Sequence, residues 1–297
     1  MAAYDVFELG AQAAWPQGAP FSLGEFCDLV AREGAQLYRD LPWRNARNPY
    51  AILVSEVMLQ QTQVKRVLGR WERFLAKFPT LDALAAVAPA DVLSEWQGLG
   101  YNRRALALKR CAEACAERFD GELPRGVADL VKLPGIGPAT AAGVTAFAYD
   151  EPCVYLETNV RTVFLHNVFP QEDGVSDRQL VPLVAKTCLQ AKSPRSWYYA
   201  LLDCGAHLKS QVANPSRRSA QHTRQSAFQG SRRQKRAELV RIVLAASGIT
   251  MEEAASRLSV EEVSAGRTPV EPELFDEIVS GLEHEGFFHI VEGRLIP

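Results

Sequence analysis

The chain has 297 residues, 47% of them hydrophobic and 23% charged, with a formal net charge of −2. That length admits two domains and perhaps a small third, and the hydrophobic content excludes global disorder. No apolar run approaches the roughly 18 residues that cross a bilayer, and the N-terminus lacks a basic stretch followed by an apolar core, so no membrane span and no signal peptide are expected.

Residues 1–20 hold Gly and Pro without a period and read as an irregular extension. Ser22, with Glu25 three residues on, forms a capping-box pattern before a helix through Phe26, Val30 and Leu37. Leu41-Pro42-Trp43-Arg44-Asn45 breaks it. One helix is then expected from about Pro49 to Gln60, and another from about Val64 to Phe78 with Val67, Trp71 and Phe74 on one face. Thr80 to Trp96 reads as two short helices split at Pro89, Gly98-Leu99-Gly100-Tyr101 as a turn, and Arg103 to Phe119 as a long helix. A short helix over Pro124 to Leu130 precedes a hairpin, Leu133-Pro134-Gly135-Ile136-Gly137-Pro138, which opens into the small-residue helix Ala139 to Ala148. Further helices are expected near Asn159, over Asp177–Leu189 and over Arg195–Leu208. No convincing strand pattern appears before the C-terminus, so the body is all-α.

The tail differs. Ala237–Ala246, Met251–Leu258 and Glu271–Glu285 read as helices, and Phe287 to Ile296 as a short hairpin. Three helices followed by a β-wing is the winged-helix arrangement. The expected domains are therefore the extension 1–20, an all-α body over 21–210, a basic segment over 211–236 and a small α+β domain over 237–297. The net charge conceals this division. Between Asp203 and Glu238 there is no acidic residue, and Lys209, Arg217, Arg218, Arg224, Arg232, Arg233, Lys235 and Arg236 all fall there. From Glu238 onward twelve Asp and Glu face four Arg, a net of about −8.

The six cysteines, Cys27, Cys111, Cys115, Cys153, Cys188 and Cys204, include no Cys-x2-Cys pair. They read as reduced thiols used as small apolar residues, and their spacing points to no metal site.

Three features carry chemistry. The glycines of Pro-Gly-Ile-Gly let a backbone approach a phosphate at a helix N-terminus, though an ordinary helix–helix turn has the same composition. Glu56 stands among Ile52, Leu53, Val57 and Leu59. It either points outward, solvated, or sits in a dry cleft with a raised pKa. Glu157 either caps the helix that follows it or provides a second carboxylate facing the first. N-glycosidic cleavage wants such a pair: one group protonates the leaving base, the other steadies the cationic sugar and orients water.

Leu41-Pro42-Trp43-Arg44, Pro49-Tyr50, Ser55 to Val64 (Ser-Glu-Val-Met-Leu-Gln-Gln-Thr-Gln-Val), Gly98-Leu99-Gly100-Tyr101, Leu133 to Gly137 and Asn159-Val160-Arg161 follow in an order and spacing that resembles the helix–hairpin–helix DNA glycosylases, most closely the adenine glycosylases of the MutY type. The resemblance covers about 170 residues, from about 40 to 210. It implies two all-α lobes with a cleft between them and an enzyme that flips its target base out of the duplex. Glu56 would be the acid that protonates adenine and activates water, Glu157 the stabiliser of the oxocarbenium ion, and Asn159 the residue that positions water or Glu157. Gln60 and Gln61 would enter the duplex, Tyr101 would lie close to the strand, and Gly135 and Gly137 would hold phosphate. Trp43 and Arg44 would line the base pocket, with Tyr199 and Asp203 where relatives touch the flipped base.

The departures from the family are as informative. Its catalytic Asp falls at Glu157, one methylene longer. Ala139 occupies the position of the Schiff-base Lys of bifunctional relatives, so no lyase activity is expected. The iron–sulfur cysteines that should follow Gly205-Ala206 are missing, and His207-Leu208-Lys209 and Asn214-Pro215-Ser216-Arg217-Arg218-Ser219 stand there; no cofactor is expected. The basic segment is expected to touch the DNA backbone through Arg217, Arg218, Arg224, Arg232 and Arg233, its Arg side chains also bonding helix C-terminal carbonyls in place of the cluster. The acidic tail does not resemble the family's β-rich lesion-reading domain and suits domain packing or a protein partner. The reading is a monomeric, monofunctional adenine glycosylase of base excision repair, cytoplasmic and associated with the bacterial nucleoid, acting on double-stranded DNA with a mispair or damaged base. The alternatives are a thymine, uracil or damaged-purine glycosylase of the same fold, or a non-catalytic DNA-structure binder.

Overall fold

The computed structural model describes residues 4–223 and 227–297. Helix α1 (Val6–Gln12) starts at Asp5, whose carboxylate accepts from the Phe7 and Glu8 N–H groups. The extension is thus not irregular throughout. One good N-cap and the burial of Val6 and Gly10 suffice to order a helix too short to show a period. Helix α2 (Leu23–Gln36) carries the expected Ser22/Glu25 capping box, and a single turn of 3-10 helix, Pro42–Arg44, leads to α3 (Pro49–Leu59).

The helix expected over 64–78 is two: α4 (Val64–Val67) and α5 (Arg70–Lys77). Gly69 between them sits at φ 75°, where glycine alone carries no steric cost. Then come α6 (Leu81–Ala86), α7 (Pro89–Trp96), α8 (Arg103–Arg118), α9 (Val127–Leu130), α10 (Pro138–Tyr149), α11 (Thr158–Asn167), α12 (Asp177–Gln190) and α13 (Pro194–Gln211). The tail holds α14 (Arg232–Ala245), β1 (Ile249–Thr250), α15 (Met251–Ser264), α16 (Pro272–His284), β2 (His289–Val291) and β3 (Arg294–Ile296). Helix α14 begins five residues before the expected start and runs through position 236 without a break.

The chain forms two compact units: Met1–Glu56 with Leu123–Arg224, and Val57–Glu122 with Gln225–Pro297. In the first, α1 lies on α12 and α13 packs against both α2 and α11. Its centre is aromatic: Phe26, fully buried, meets Phe164 at 5.0 Å and Trp197 at 6.4 Å. A side chain of this size contributes about 1.5–3 kcal/mol when removed from water.

In the second unit α8 packs on α6 and α7, and Phe74 stands edge-on to Phe78 and Trp96. The tail has winged-helix order, with an antiparallel sheet β1-β3-β2 in which Leu295 pairs with both Ile249 and Ile290. Glu292 and Gly293, at φ 50° and 70°, form the tight turn of the wing. Strand β1 is two residues long, too short for an alternation to be visible in the sequence.

The basic segment and the acidic tail neutralise one another inside this unit. Arg232 of α14 pairs with Glu277 at 2.8 Å, and Lys235 with Glu262 at 2.6 Å. Glu262 is buried and also takes Arg267 at 2.7 Å; these hydrogen bonds, Arg267's first, hold its carboxyl down at about 2. Glu285 accepts from Arg236 at 2.7 Å and from Arg103 of α8. Arg224 lies outside the described residues.

Arg218 belongs to the first unit and faces inward. One of its terminal nitrogens donates to the carbonyls of Phe169 at 2.5 Å, Pro170 at 2.9 Å and Glu172 at 3.1 Å, and the other to Leu165 at 2.5 Å. Its own carbonyl accepts from the Gly174 and Val175 N–H groups. One guanidinium therefore fastens residues 214–220 to the end of α11, while Arg217 beside it remains exposed. Arg218→Met leaves four carbonyls without this donor and is expected to cost about 3 kcal/mol, read as a lower midpoint in urea. Unchanged stability with weakened duplex binding would instead make Arg218 a backbone contact.

Candidate active site

Helix α3 is apolar on every side, with Ile52, Leu53, Val54 and Met58 each at most 1% exposed, so it is a core helix rather than an amphipathic one. Glu56 is its one acidic side chain. The carboxyl is accommodated because α10 has no side chain at position 143: a Cβ there would stand 2.2 Å from Glu56 Oε2. The Tyr155 hydroxyl donates to the same oxygen at 3.1 Å. Burial pushes the Glu56 carboxyl up to about 8 against the opposing Tyr155 bond, with the charge of Glu157 adding to the rise. At neutral pH the group holds its proton.

Glu157 is the N-cap of α11. Its Oε1 accepts from the Asn159 N–H at 2.5 Å and the Val160 N–H at 3.0 Å. The Asn159 side-chain amide lies 3.4 Å from Oε2, and Lys209 donates to Asn159 Oδ1 at 2.7 Å. Burial raises the Glu157 carboxyl as well, opposed by the Val160 N–H, Lys209, the Asn159 N–H and Arg161. Capping and proximity to Glu56 are thus both realised by one residue. Tyr155, Glu157 and Glu56 form one electrostatic cluster, and the two carboxylates both press the Tyr155 hydroxyl toward its neutral form after burial has done the most.

A ladder of rings joins this cluster to the other expected pocket residues. Tyr155 stands edge-on to Phe147 at 5.1 Å, Phe147 stacks on Tyr199 at 4.5 Å and 1°, and the Arg44 guanidinium lies 4.4 Å over Tyr199 and 5.1 Å over Tyr38. Asp203 sits beneath Arg44. Its two oxygens accept from Arg44 at 2.7 and 2.8 Å, from Arg39 Nε at 2.5 Å and from the Arg39 N–H at 3.2 Å. That carboxylate is committed to two arginines, and its action on a ligand runs through Arg44. Trp43 is buried next to Arg44. Tyr38, Arg44, Arg47, Trp197 and Tyr199 line an open groove of about 710 Å³.

At the hairpin, Gly135 has φ 74° and Gly137 caps α10 with no side chain over the N-terminus. Gly135 and Gly137 are both exposed, Ile136 between them is buried, and a Cβ at Gly137 would meet nothing within 4 Å. The space beside Gly137 at the start of α10 is open, as the approach of an anion requires.

The second unit holds the other strand-contact candidates. Gln61 and Tyr101 both have left-handed backbones, φ 52° and 49°. The fan that shapes their loops is Arg104: Nη1 donates to the carbonyls of Val57, Met58 and Gln60, and Nη2 to Thr62 Oγ1 and the Gly100 carbonyl, all within 3.0 Å. Burial lowers Arg104 to about 10, so it stays cationic. Arg233 of α14 donates to the Tyr101 hydroxyl at 3.0 Å, which brings one cation of the basic segment to this loop.

Residues 54–179 match the HhH-GPD superfamily of base excision DNA repair proteins. The chain is 41% identical over 169 residues to the adenine DNA glycosylase of Mycolicibacterium smegmatis, covering 57% of this chain and 58% of that one. It is 44% identical over 138 residues to the adenine DNA glycosylase of Mycobacterium tuberculosis, covering 46% and 45%. The chain spans about half the length of these curated relatives. Among solved structures, a thermostable thymine-DNA glycosylase superposes with a TM-score of 0.55 at 23% identity, over 62% of this chain and 86% of that one. The H. pylori 3-methyladenine DNA glycosylase MagIII gives 0.52 at 17%, over 64% and 98%. Both likenesses show a shared fold over about three fifths of this chain.

Sequence reasoning missed Tyr155, Gly143, Lys209 and Arg104. A signal existed for Tyr155: it stands two residues before Glu157, and in extended chain i and i+2 point the same way. The raised pKa of Glu56 has a consequence for stability. Below about 4.5 the group is protonated folded and unfolded alike; as pH rises toward about 8 only the unfolded chain ionises, so stability falls across that window and then levels. Glu56→Gln removes this dependence. The melting temperature of the variant relative to wild type should climb steadily between pH 4.5 and 8, and a flat difference would refute the raised value.

Proposed function

We propose that this chain is a monofunctional DNA glycosylase that releases adenine mispaired with 8-oxoguanine or guanine from double-stranded DNA. The observation that carries the reading is the protonated carboxyl of Glu56, held by Tyr155 in a site that Gly143 leaves open. A flipped purine entering this site receives the proton on its ring nitrogen, which makes it a neutral leaving group. As the glycosidic bond breaks, positive charge develops on the sugar, and Glu157, fixed by two backbone N–H groups, faces it. Glu56, now a carboxylate, takes a proton from the attacking water. The Gly135–Gly137 hairpin of the first unit holds phosphate, and Gln60, Gln61, Tyr101 and Arg233 are the DNA contacts of the second unit.

Ala139 offers no amine, so the reaction stops at the abasic site. No iron–sulfur cluster enters this reading: no cysteine follows Cys204, and Arg218 holds the segment where one would be bound. Among the described residues no helix is long and apolar enough to cross a membrane. The relatives named adenine DNA glycosylases support the choice of base.

The test is base release followed by alkaline strand scission, on duplexes carrying A opposite 8-oxoguanine, A opposite G, T opposite G and U opposite G. Scission of the A strand alone is expected, with Glu56→Gln slower by on the order of 10² to 10⁴ at unchanged duplex affinity. Scission of only T or U would overturn the base, and tight binding without scission would overturn the enzyme. Gly143→Ala keeps the carboxyl but drives it from its place. Its rate should fall nearly as far as that of Glu56→Gln, and wild-type turnover in this variant would show that the close approach is dispensable.

A further inference from the structure

We propose that Lys209 is a positioning residue for the second carboxylate: it fixes Asn159, and through it the orientation of Glu157, and supplies the positive charge that faces that side chain. The inference rests on the reading of Glu157 as the group that steadies the cationic sugar, and it adds a residue from α13, the helix that also holds Tyr199 and Asp203.

The packing of α13 on α11 makes the contact. Gly205 lies so close to the first turn of α11 that a Cβ there would stand 2.3 Å from the Asn159 carbonyl oxygen. Residue 209 is four positions on, one turn along the same face. From there a lysine side chain spans the start of α11 and places Nζ 2.7 Å from Asn159 Oδ1. With its oxygen held by the ammonium, the Asn159 amide has one orientation: its NH₂ group points to Glu157 Oε2, at 3.4 Å. The Asn159 backbone N–H holds Oε1 at 2.5 Å. One asparagine therefore touches both carboxylate oxygens, and Lys209 determines which way its side chain faces.

The charges agree with this arrangement. Ionisation of Glu157 is opposed by burial, and favoured by the Val160 N–H, Lys209 on α13, the Asn159 N–H and Arg161 on α11. Arg161 is shared with Asp177, which it binds through both Nε and Nη2 at 2.8–3.1 Å. Lys209 has a different environment: burial lowers its pKa and Glu157 raises it. A lysine at a helix end is ordinarily extended into water, where its ammonium is fully hydrated. This one is folded back over the candidate site.

The test uses the full chain with Lys209→Met and Lys209→Arg. The Glu157 carboxyl is titrated by carbon NMR of glutamate-labelled protein, its signal assigned with Glu157→Gln. Single-turnover base release is followed against pH on the A:8-oxoguanine duplex, and affinity for a duplex bearing an abasic-site analogue is measured against salt. Lys209→Met should move the Glu157 titration to higher pH and carry the acid limb of base release with it. On that limb the rate should fall about tenfold for every pH unit by which the titration moves, with affinity and salt slope unchanged. Lys209→Arg should restore most of both. An unmoved Glu157 titration in Lys209→Met overturns the proposal. So does a loss confined to affinity and salt slope, which would make Lys209 a phosphate contact. If the wild-type chain releases no base from any duplex, it is the glycosylase reading that fails, and the carboxyl titration still decides the Lys209–Glu157 coupling.

Discussion

Everything in the candidate site follows from placing one carboxyl inside an apolar helix. Burying a charge without a partner is expensive, and a group so placed neutralises instead. Among the described residues no cation contributes to the Glu56 shift. Glu56 has a hydroxyl that donates, a missing side chain on α10 that makes room, and a second carboxylate that discourages ionisation. An arginine at position 155 would have made Glu56 an ordinary buried ion pair with no proton to give. The stacked rings behind Tyr155 serve the same end, because they exclude water and tie the Tyr155 ring to Arg44 through Phe147 and Tyr199. The buried Arg44–Asp203 pair at the far end of that ladder is a costly feature taken alone. It keeps its geometry because Arg39 completes the hydrogen bonding of the carboxylate.

Charge in the second unit is arranged on the opposite principle. Here cations and anions are brought together, and a segment that is strongly basic along the chain becomes nearly neutral once α15 and α16 fold against α14. Arg232, Lys235 and Arg236 each meet a glutamate, and what remains directed at the strand-contact loop is Arg233 on Tyr101. The third helix of a winged-helix domain is the one that commonly enters a DNA groove. In this chain that helix is α16, with Glu273, Asp276, Glu277 and Glu283. Of these, Glu277 pairs with Arg232 of α14 and Glu283 accepts from the Ile290 N–H.

Local chemistry was legible in the sequence, and partnership was not. The Ser22/Glu25 box, the break at Pro89, the Gly-x-Gly hairpin and the hydrophobic run around Glu56 each express a rule that acts within a few residues, and each is found where the sequence placed it. The break at Gly69 was readable in principle, since glycine is the residue for a left-handed turn, but the apolar spacing of Val67, Trp71 and Phe74 outweighed it. Arg218 was legible in kind, since arginines bonding helix C-terminal carbonyls were expected in its segment, but its particular partners, like those of Arg104 and Lys209, were not. Each is a long cationic side chain with a partner about fifty residues away along the chain, and nothing in composition separates an arginine that fastens carbonyls from one that meets phosphate. Counting cations over 204–237 therefore gave the correct total and an incomplete account of its use.

The two units are interleaved along the chain, which passes from one to the other at 56/57, at 122/123 and at 224/225. On a ribosome, residues 57–122 emerge before the α14–α16 domain to which Glu285 and Arg233 join them, and residues 123–224 must be made in the interval. The nascent 57–122 segment thus waits for the partners of Arg103 and Tyr101, and the first unit waits in turn for α10 to α13 before α2 and α3 have a core. Neither unit can finish as an independent early domain, so late, long-range closure governs folding speed and the exposure of apolar surface to chaperones. The acidic tail can neutralise α14 only after residues 232–285 have all been made.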